Sequence, residues 1–350
     1  PASGPASSEP KAEWQVEWDR LATASKQEGK LVLNIVGGVN YEKALAVFER
    51  RFPGVTVEQT TFASSSLFAP RVISEMKAGV YTWDISQIMT TTGLGTLLPA
   101  GAWDPIRPAL FHPEVVGDQN WESGFEAGFP DNDRKWCYAF TRNSQRPFVI
   151  NTDLVNESEL KSVKDLLNPK WQGKMIAADP RTLGPGFWLA TILRLRMGDD
   201  ILKQLYVDQK PVISRDTKQL ADWVVRSQYP IHIGSMGPGT LDEYRAQGLG
   251  KNVKEIELPE ASHVSAQTVF LNRQAPHPNA AKLFLNWLLG KEGQTAWAQV
   301  AVGANSRRKD VPPTEPASVP VAGREYVEIY KESVLPKITE TQELMKKLLQ

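Results

Sequence analysis

The sequence predicts an α/β protein built from two similar units, and three observations support this fold class. Apolar runs of strand length alternate with amphipathic helical stretches between residues 30 and 88. The same alternation returns between residues 136 and 236, after a segment rich in Pro, Gly and aromatic residues. A chain of 350 residues is also long enough to form two ordinary domains, each with its own core.

The first unit begins with an amphipathic helix that carries Trp14, Trp18 and Leu21 on one face. Strands are then predicted at "KLVLNIVGG", "VTVEQTTF" and "TWDISQIM", with helices between them at "YEKALAVFERRF" and "SSSLFAPRVISEMKAG". This order of elements predicts a parallel sheet that is covered by helices on both faces.

The second unit repeats the pattern. Strands are predicted at "KWCYAFTRN", "RPFVINTD", "KMIAAD", "QKPVIS" and "YPIHIGSMG", and helices at "SVKDLLNPKWQ", "GFWLATILRLRMG" and "TKQLADWVVRS". Two later helices are broken at 290–293, and the first has an apolar stripe of Leu283, Phe284, Trp287 and Leu288. A final amphipathic segment, 324–350, is predicted to break at Pro336.

Composition excludes several classes of partner and site. The 40 basic residues balance the 40 acidic residues, so we expect no nucleic-acid or membrane-surface partner acting through bulk charge. The single cysteine, Cys137, excludes an internal disulfide and a thiolate-rich metal site, and its strand pattern predicts a buried structural thiol. Residues 1–13 have almost nothing to bury, which predicts a disordered tether. Such a tether fits an exported protein, and it equally fits an ordinary flexible tail.

Motifs for catalysis or metal binding are missing from the sequence. There is no phosphate-loop motif and no G-x-S-x-G elbow, and the histidines are scattered without ligand spacing. We therefore predict no catalytic residues, no metal site and no cofactor. If the chain were an enzyme, its only candidates for acid–base chemistry would be Asp179, Asp216 and His232, which no spacing ties together.

Polar turns rich in Gly or Ser follow five predicted strands, at 37–41, 64–66, 181–186, 214–217 and 234–240. In open α/β sheets, ligands bind outside the carboxyl ends of the strands, where helix N-termini present unpaired amides that suit anions. Any one such turn could serve only to reverse the chain. Five of them in two units favour a ligand site.

Several phrases together resemble one protein family. They are "YEKALAVFERRFPGVTVE", "SSSLFAPRVISEMKAGVYTWDI", "SVKDLLNPKWQGKMIAADPR" and "APHPNAAKLFLNWLLGKEGQ". They resemble solute-binding proteins of ATP-driven (ABC) importers, in the branch that contains ferric-iron, thiamine, phosphonate and sugar-phosphate binders. The resemblance implies a type II periplasmic-binding fold, with two α/β lobes, a hinge and an interlobe cleft. Lobe 1 would comprise 14–103 and 263–310, and lobe 2 would comprise 104–262 and 311–350.

The sequence departs from the ferric-binding members of that family. Those members hold iron with two adjacent tyrosines just after the strand that here reads "IHIG", where this chain has Ser235, Met236 and Gly237. Phenolate oxygens suit a hard ferric ion, and a thioether does not. The resemblance does preserve an anion site, at the helix N-terminus formed by Gly184, Gly186 and Phe187. Pro185 suits the first position of that helix.

The resemblance and the turns together predict a set of ligand-binding residues. Arginines would bind an anion through charge-assisted hydrogen bonds, and Tyr41 would stack on a flat ligand, as would Trp188 if it is not core. Asp216 would neutralise Arg215 or bind an amine of a zwitterion. The predicted set is Asn40, Tyr41, Ser64, Ser65, Ser66, Arg142, Arg181, Thr182, Gly184, Gly186, Phe187, Arg215, Asp216, Ser235 and Met236.

The sequence therefore predicts a monomeric periplasmic or extracellular binding protein, tethered as a lipoprotein in one version. It would capture a small anionic or zwitterionic organic solute and deliver it to a membrane permease. Two alternatives stay open. One is a ferric-iron binder that uses a synergistic anion without the tyrosine pair, and the other is an enzyme on the same bilobal fold.

Overall fold

The computed structural model describes residues 11–36, 41–237, 239–300 and 304–350. Its strands are β1 Lys30–Val36, β2 Thr56–Phe62, β3 Ile85–Ile88, β4 Trp103–Asp104, β5 Cys137–Ala139, β6 Asn143–Ser144, β7 Phe148–Asn151, β8 Met175–Ala178, β9 Val212–Ser214, β10 Ile231–Ile233, β11 Val253–Ile256, β12 His263–Ser265, β13 Thr268–Asn272 and β14 Val327–Glu328. Its helices are α1 Glu13–Glu28, α2 Glu42–Arg51, α3 Ser65–Lys77, α4 Thr90–Thr92, α5 Pro113–Val116, α6 Pro185–Met197, α7 Asp200–Lys203, α8 Thr217–Val225, α9 Thr240–Ala246, α10 Pro278–Leu289, α11 Lys291–Ala298 and α12 Leu335–Leu348.

The chain divides into two compact units. Unit 1 comprises 1–141, 267–301 and 306–313, and unit 2 comprises 142–266, 302–305 and 314–350. The sequence predicts a change of lobe near residue 103, whereas the structure keeps 104–141 in unit 1. The reason is strand pairing, because β4 and β5 both pair antiparallel with β13 of the unit 1 sheet. The first boundary prediction is therefore corrected by the pairing of strands that are far apart in sequence.

The sheet of unit 1 has the strand order β2-β1-β3-β13-β4, and β5 also pairs with β13. Strands β1, β2 and β3 run parallel, as the alternation of strands and helices predicted, and β13 is antiparallel to β3. The carboxyl ends of β1, β2 and β3 therefore lie along one edge of this sheet. The thiol of Cys137 is buried in β5, as predicted.

Helix α10 supplies much of the unit 1 core. The residues of its apolar stripe are spaced three and four apart in the sequence. All four predicted side chains are buried: Leu283, Phe284, Trp287 and Leu288. The ring of Phe284 packs edge-on against Phe48 of α2 at 5.2 Å between centroids. The stripe therefore packs α10 against the sheet and against its neighbouring helix.

A buried asparagine on the same helix holds the segment that follows β4. The Oδ1 atom of Asn286 accepts hydrogen bonds from the amides of Phe111 and His112, at 3.0 Å each. Its Nδ2 atom donates to the carbonyls of Ala109 and Lys282. All of its hydrogen-bonding capacity is thus used inside unit 1, which is a second reason why residues beyond 104 belong there.

The sheet of unit 2 has the order β11-β7-β10-β8-β9, with β8, β9 and β10 parallel and β7 antiparallel to β10. Side chains of a strand alternate between its two faces. In β8, Met175 and Ala177 pack in one core cluster with α6, while Ile176 and Ala178 pack in another with α8. The apolar run of β8 is continuous because both faces of the strand are covered.

Two predicted features differ in the structure, and a proline explains each of them. The segment "SVKDLLNPKWQ" forms two 3₁₀ turns, Val163–Leu167 and Pro169–Trp171, instead of one helix. Pro169 disfavours helical backbone at the residue before it, so the helix cannot continue through Asn168. Pro336 does not break the final helix but lies in its first turn, where a missing N–H costs nothing.

We predict that replacing Asn286 by Leu destabilises unit 1 strongly. The change keeps the volume but leaves the two amides of 111 and 112 without an acceptor, which costs about 2–4 kcal/mol in total. Urea unfolding followed by far-UV circular dichroism measures this loss. As a matched control, Asn156→Ala removes an exposed cap of a 3₁₀ turn and should cost about 1 kcal/mol. Equal losses in both variants would contradict the prediction.

Candidate anion-binding site at the carboxyl edge of unit 2

Three neighbouring strands of unit 2 end at the same edge of the sheet. Strands β9, β8 and β10 are adjacent and parallel, so the loops that follow them, 215–216, 179–184 and 234–237, emerge side by side. Many of the ligand-binding residues predicted for the second lobe lie in these loops or in the helices that follow them. This edge is the place where open α/β sheets bind ligands.

Helix α6 begins at this edge. Gly184 is its N-cap residue and Pro185 occupies the first turn, as the sequence predicted. The first hydrogen bond into the helix runs from the Trp188 amide to the Gly184 carbonyl, at 3.0 Å. The amides of Gly186 and Phe187 have no acceptor among the described residues. They are unpaired donors at the positive end of a helix, which suits an anion.

The two glycines of this turn have different roles. A Cβ atom on Gly186 would lie only 2.1 Å from the carbonyl oxygen of Ala178, at the end of β8. The first turn of α6 can therefore approach the strand this closely only because residue 186 is glycine. A Cβ atom on Gly184 would meet only the carbonyl oxygen of Thr182, at 3.8 Å. Residue 184 thus has room for a side chain, and Thr182 itself is half-buried beside it.

The carboxylate of Asp179 organises the loop that precedes α6. Its side chain is 2% exposed. Arg181 donates to both of its oxygens, from Nε and Nη2 at 2.9 Å each, and Arg215 donates from Nε at 2.8 Å. Burial alone would raise the pKa of Asp179, but these hydrogen bonds from the two arginines outweigh burial and hold the pKa well below its usual range. The carboxylate is therefore ionised and paired.

The two arginines differ in what they can still bind. Arg181 also donates from Nη1 to the carbonyl of Leu349, at 3.0 Å, so its guanidinium joins the β8 loop to the end of α12. The side chain of Arg215 is 68% exposed. Only its Nε is hydrogen-bonded among the described residues, which leaves Nη1 and Nη2 without a partner there. Arg181 is thus structural, and Arg215 is the arginine that can meet an anion.

Asp216 does not neutralise Arg215, contrary to one of the two roles predicted for it. It is the N-cap of α8, and its Oδ1 accepts a hydrogen bond from the Gln219 amide at 3.0 Å. Asp179, on the neighbouring strand end, provides the countercharge instead. The expected partner of Arg215 is Asp216, its neighbour in the sequence, whereas the observed partner is Asp179, its neighbour in space.

The loop after β10 contributes less than the sequence predicted. Met236 is buried in the core cluster under α8, so its sulfur is not presented to a solute. The hydroxyl of Ser235 accepts a hydrogen bond from the Gly237 amide at 3.1 Å and so shapes the turn. Apolar packing against Ile176 and Leu220 therefore decides the position of Met236.

The predicted ligand residues of unit 1 other than Tyr41 fall into two groups. Asn40 lies outside the described residues, as does the side chain of Ser66. Ser64 is the N-cap residue of α3, and Ser65 accepts a hydrogen bond at Oγ from the Met89 amide, at 3.2 Å. These serines lie at the carboxyl edge of the unit 1 sheet, where Ser64 begins α3 and Ser65 joins α3 to the residue after β3.

Tyr41 is a core residue and not a stacking surface. Its ring is buried and stacks on Trp297 at 3.9 Å between centroids, and its hydroxyl accepts a hydrogen bond from Gln267 Nε2. Burial raises the pKa of Tyr41 to about 12. The expected role of Tyr41 in stacking on a ligand is therefore corrected, since Trp297 already occupies that face of its ring.

Arg142 and Trp188 also differ from the expected roles. Arg142 directly precedes β6 of a small sheet of β14, β12 and β6, and its Nε lies 3.8 Å from Glu328 Oε1. Its guanidinium lies 5.9 Å from the centre of the Tyr326 ring. Arg142 thus pairs with Glu328 of the small sheet. Trp188 is half-buried against Phe187, a position between core and surface.

Two features of this edge are not predicted from the sequence. Asp179 is named there only as an acid–base candidate, although the spacing Asp-x-Arg in "ADPR" is a signal for a local ion pair. His232 is likewise named only as an acid–base candidate. His232 is 0% exposed, and neither ring nitrogen has a hydrogen-bond partner among the described residues. Its Nε2 lies 3.3 Å from the position that a Cβ on Gly234 would take.

Metal and membrane features are absent from the described part of the chain. No group of three or more His, Cys, Asp or Glu side chains there lies close enough together to hold a metal ion. No helix among these residues is long and apolar enough to cross a membrane.

We predict that Gly186→Ala disrupts the start of α6. The new methyl group would clash with the Ala178 carbonyl, so the helix must move away from the strand at a cost of about 2 kcal/mol or more. Urea denaturation measures this cost. Gly184→Ala is the matched control, because its methyl group has space, and it should change stability by less than about 1 kcal/mol. The prediction fails if the two variants are equally stable.

We also predict that stability falls as the pH is lowered from 6 to 4, in part through His232. Burial lowers the pKa of His232 to about 3, so as the pH falls this imidazole is protonated in the unfolded chain before it is protonated in the folded chain. The free energy of unfolding therefore decreases by about 1.4 kcal/mol per pH unit. His232→Leu should reduce the slope of unfolding free energy against pH by that amount. An unchanged slope would show that this imidazole is not held neutral.

The chain is similar to known solute-binding proteins. The family model for "bacterial extracellular solute-binding protein" matches residues 43–321. An uncharacterised protein of Haemophilus influenzae is 30% identical over 163 residues, which are 43% of this chain and 45% of that protein. The chain thus aligns with less than half the length of this relative.

Solved structures share the fold at low sequence identity. Iron-bound HitA from Pseudomonas aeruginosa is 19% identical with a TM-score of 0.64, covering 92% of this chain and 99% of that one. The substrate-binding protein PotD of a spermidine/putrescine ABC transporter from Streptococcus pneumoniae is 17% identical with a TM-score of 0.65, covering 91% and 99%. These likenesses confirm the predicted bilobal periplasmic-binding fold. Because the family model covers most of the sequence, the chain belongs to the bacterial extracellular solute-binding protein family.

Proposed function

We propose that the protein captures a small anionic or zwitterionic organic solute and delivers it to the permease of an ABC importer. The main support is that the amides of Gly186 and Phe187 lack an acceptor among the described residues and lie at the same sheet edge as the guanidinium of Arg215. Family membership supports the transport role. The protein would act outside the cytoplasm as a monomer, without a cofactor and without covalent chemistry.

The electrostatics of this edge favour an anionic group. The helix terminus contributes a partial positive charge, and Arg215 contributes a full one with two nitrogens that remain available. Asp179 is already engaged by two arginines, so its negative charge is compensated. The site is also stiff, because the buried residues of α6 pack in the unit 2 core. Prepositioned donors reduce the ordering cost of binding.

A ferric-ion function is the alternative, because several neighbours of the same fold are named as iron-binding proteins. The observed side chains do not favour it. Ser235 and the buried Met236 follow β10, and the Tyr41 phenol is buried in the core of unit 1. Oxygen-rich ligands from the protein would be needed to bind the ion directly. Iron would therefore have to enter as a complex with an organic anion such as citrate.

An enzymatic function has less support still. Of the three acid–base candidates, Asp179 is fully paired, Asp216 caps α8, and His232 is completely buried. No two of them share a hydrogen bond among the described residues. A general acid or base needs to reach its substrate, and none of the three is arranged to do so.

A ligand panel tests the proposal. Carboxylates, phosphonates, phosphate esters, polyamines and ferric citrate would be screened by thermal shift at millimolar concentration, followed by calorimetry of those that stabilise the protein. We expect one anionic or zwitterionic class to stabilise it, with a Kd near the micromolar level, about 8 kcal/mol. Stabilisation by polyamines or ferric citrate alone would overturn the proposal. With ferric citrate we expect no phenolate charge-transfer band in the visible spectrum.

We predict that Arg215→Gln weakens binding of the stabilising anion about tenfold to a hundredfold, since hydrogen bonds to a charged group contribute about 1.5–3 kcal/mol. Asp179 would keep its pairing with Arg181, so unfolding should change little. Arg226→Gln is the matched control, because Arg226 is also exposed and paired with a carboxylate, that of Asp222 at the end of α8. Equal effects of the two variants on affinity would contradict a role for Arg215.

A further inference from the structure

A cavity of about 590 Å³ lies in the helical layer of unit 1. Its walls come from α1, from the last residue of α2, from the start of α5 and from the junction of α10 with α11. Of the described residues that line it, none directly follows β1, β2 or β3. Its volume suits an organic molecule of one or two rings, since small-molecule sites span about 300–1,000 Å³.

Aromatic rings form much of the cavity wall. Trp14 and Trp18 are four residues apart and therefore share one face of α1, and both are half-buried. The imidazole of His112 packs against both indoles, at 4.5 Å and 5.0 Å between ring centroids. Trp287, which is buried at the end of α10, adds a third indole to the lining. The cavity thus offers flat apolar surface to a ligand.

Two carboxylates of the cavity are each held by one oxygen. Glu114 Oε1 accepts a hydrogen bond from the Lys291 amide at 2.7 Å, and Glu292 Oε2 accepts one from Trp287 Nε1 at 3.0 Å. No described residue donates a hydrogen bond to Glu114 Oε2 or to Glu292 Oε1. The two side chains are 39% and 51% exposed. Each therefore presents one oriented acceptor that is still available.

The same cavity also has donors without acceptors. His112 Nδ1 accepts a hydrogen bond from the Glu114 amide at 3.3 Å, and burial lowers the pKa of the imidazole. The neutral ring therefore carries its proton on Nε2, for which the described part of the chain supplies no acceptor. Gln15 is similar, because its Oε1 accepts from the Ala12 amide while its Nε2 donates to no described residue.

The charges around the cavity are balanced. Three carboxylates line it, and each has a cationic partner. The pairs are Asp19 with Lys11, Glu292 with Arg51, and Glu114 with Arg308. A cationic ligand would have to compete with an existing partner for every carboxylate, and an anionic ligand would have to compete with a carboxylate for every cation. The arrangement therefore favours a ligand without net charge.

We propose that this cavity of unit 1 binds a neutral carbohydrate, a pyranose or a short chain of pyranoses. The C–H face of a pyranose is apolar and packs on indole rings, while each hydroxyl is both a donor and an acceptor. Hydroxyls donate to the available oxygens of Glu114 and Glu292 and accept from His112 Nε2. A flat aromatic ligand would cover the indoles but would leave these acceptors without donors, which is unfavourable once water is excluded.

This carbohydrate site is separate from the anion site of unit 2, and neither depends on the other. Titration of the full chain tests it. Glucose, galactose, N-acetylglucosamine, maltose and cellobiose would be titrated by saturation-transfer NMR, with choline as a cationic and indole as an aromatic comparator. We expect at least one saccharide to bind, with an affinity that is the same at about 0.05 M and 0.5 M salt because the ligand is uncharged. If no saccharide binds, or if only choline or indole binds, the proposal is overturned.

Variants locate the carbohydrate site. Trp14→Ala should weaken the saccharide about tenfold, the loss expected for one aromatic contact, and Trp14→Phe should restore part of the affinity. Glu292→Ala, which removes one oriented acceptor, should also weaken it about tenfold or more. Trp136→Ala is the matched control, because Trp136 is half-buried in unit 1 and does not line the cavity. Unchanged affinity in both Trp14→Ala and Glu292→Ala, or an equal loss in Trp136→Ala, would overturn the proposal.

Discussion

The pairing of the buried Asp179 carboxylate is the interaction on which the carboxyl edge of unit 2 depends. A charge in the interior must be paired, because an isolated buried carboxylate is strongly disfavoured. Asp179 meets this need by binding Arg181 from its own loop and Arg215 from the next strand end. Through Arg181 the same carboxylate is linked to Leu349, at the end of α12. Three segments that are far apart in sequence are positioned by one ion-paired group.

This arrangement separates the two roles that an arginine can have at a binding site. Arg181 uses its donors on Asp179 and on a backbone carbonyl, so it holds the loop in place. Arg215 is oriented by one hydrogen bond and keeps its terminal nitrogens at the surface. The buried carboxylate therefore orients the Arg215 guanidinium without occupying all of the hydrogen-bond donors of that group. A guanidinium that is oriented before binding loses less conformational entropy when an anion arrives.

The residues that form the fold and those of the proposed ligand site lie in different parts of the chain. Proteins of this fold include ones named for iron and ones named for spermidine or putrescine, so the fold does not select the solute. We propose that selection depends on the loops at the strand ends, where this chain has unpaired amides, one oriented arginine and exposed leucines. A scaffold with a packed core tolerates such variation, because loop residues contribute little to the core.

The class of fold can be predicted from the sequence, since periodicity is a local property. Strands β1, β2 and β8, the stripe of α10 and the start of α6 at Pro185 were all predicted from residues close together in the chain. Tertiary structure decided which polar groups remain available. Tyr41 is covered by Trp297, and Met236 is buried in the core. Arg215 pairs with Asp179 instead of Asp216. Each of these outcomes depends on a neighbour from a distant part of the sequence. Burial and charge pairing act through space, so a local sequence pattern does not predict them.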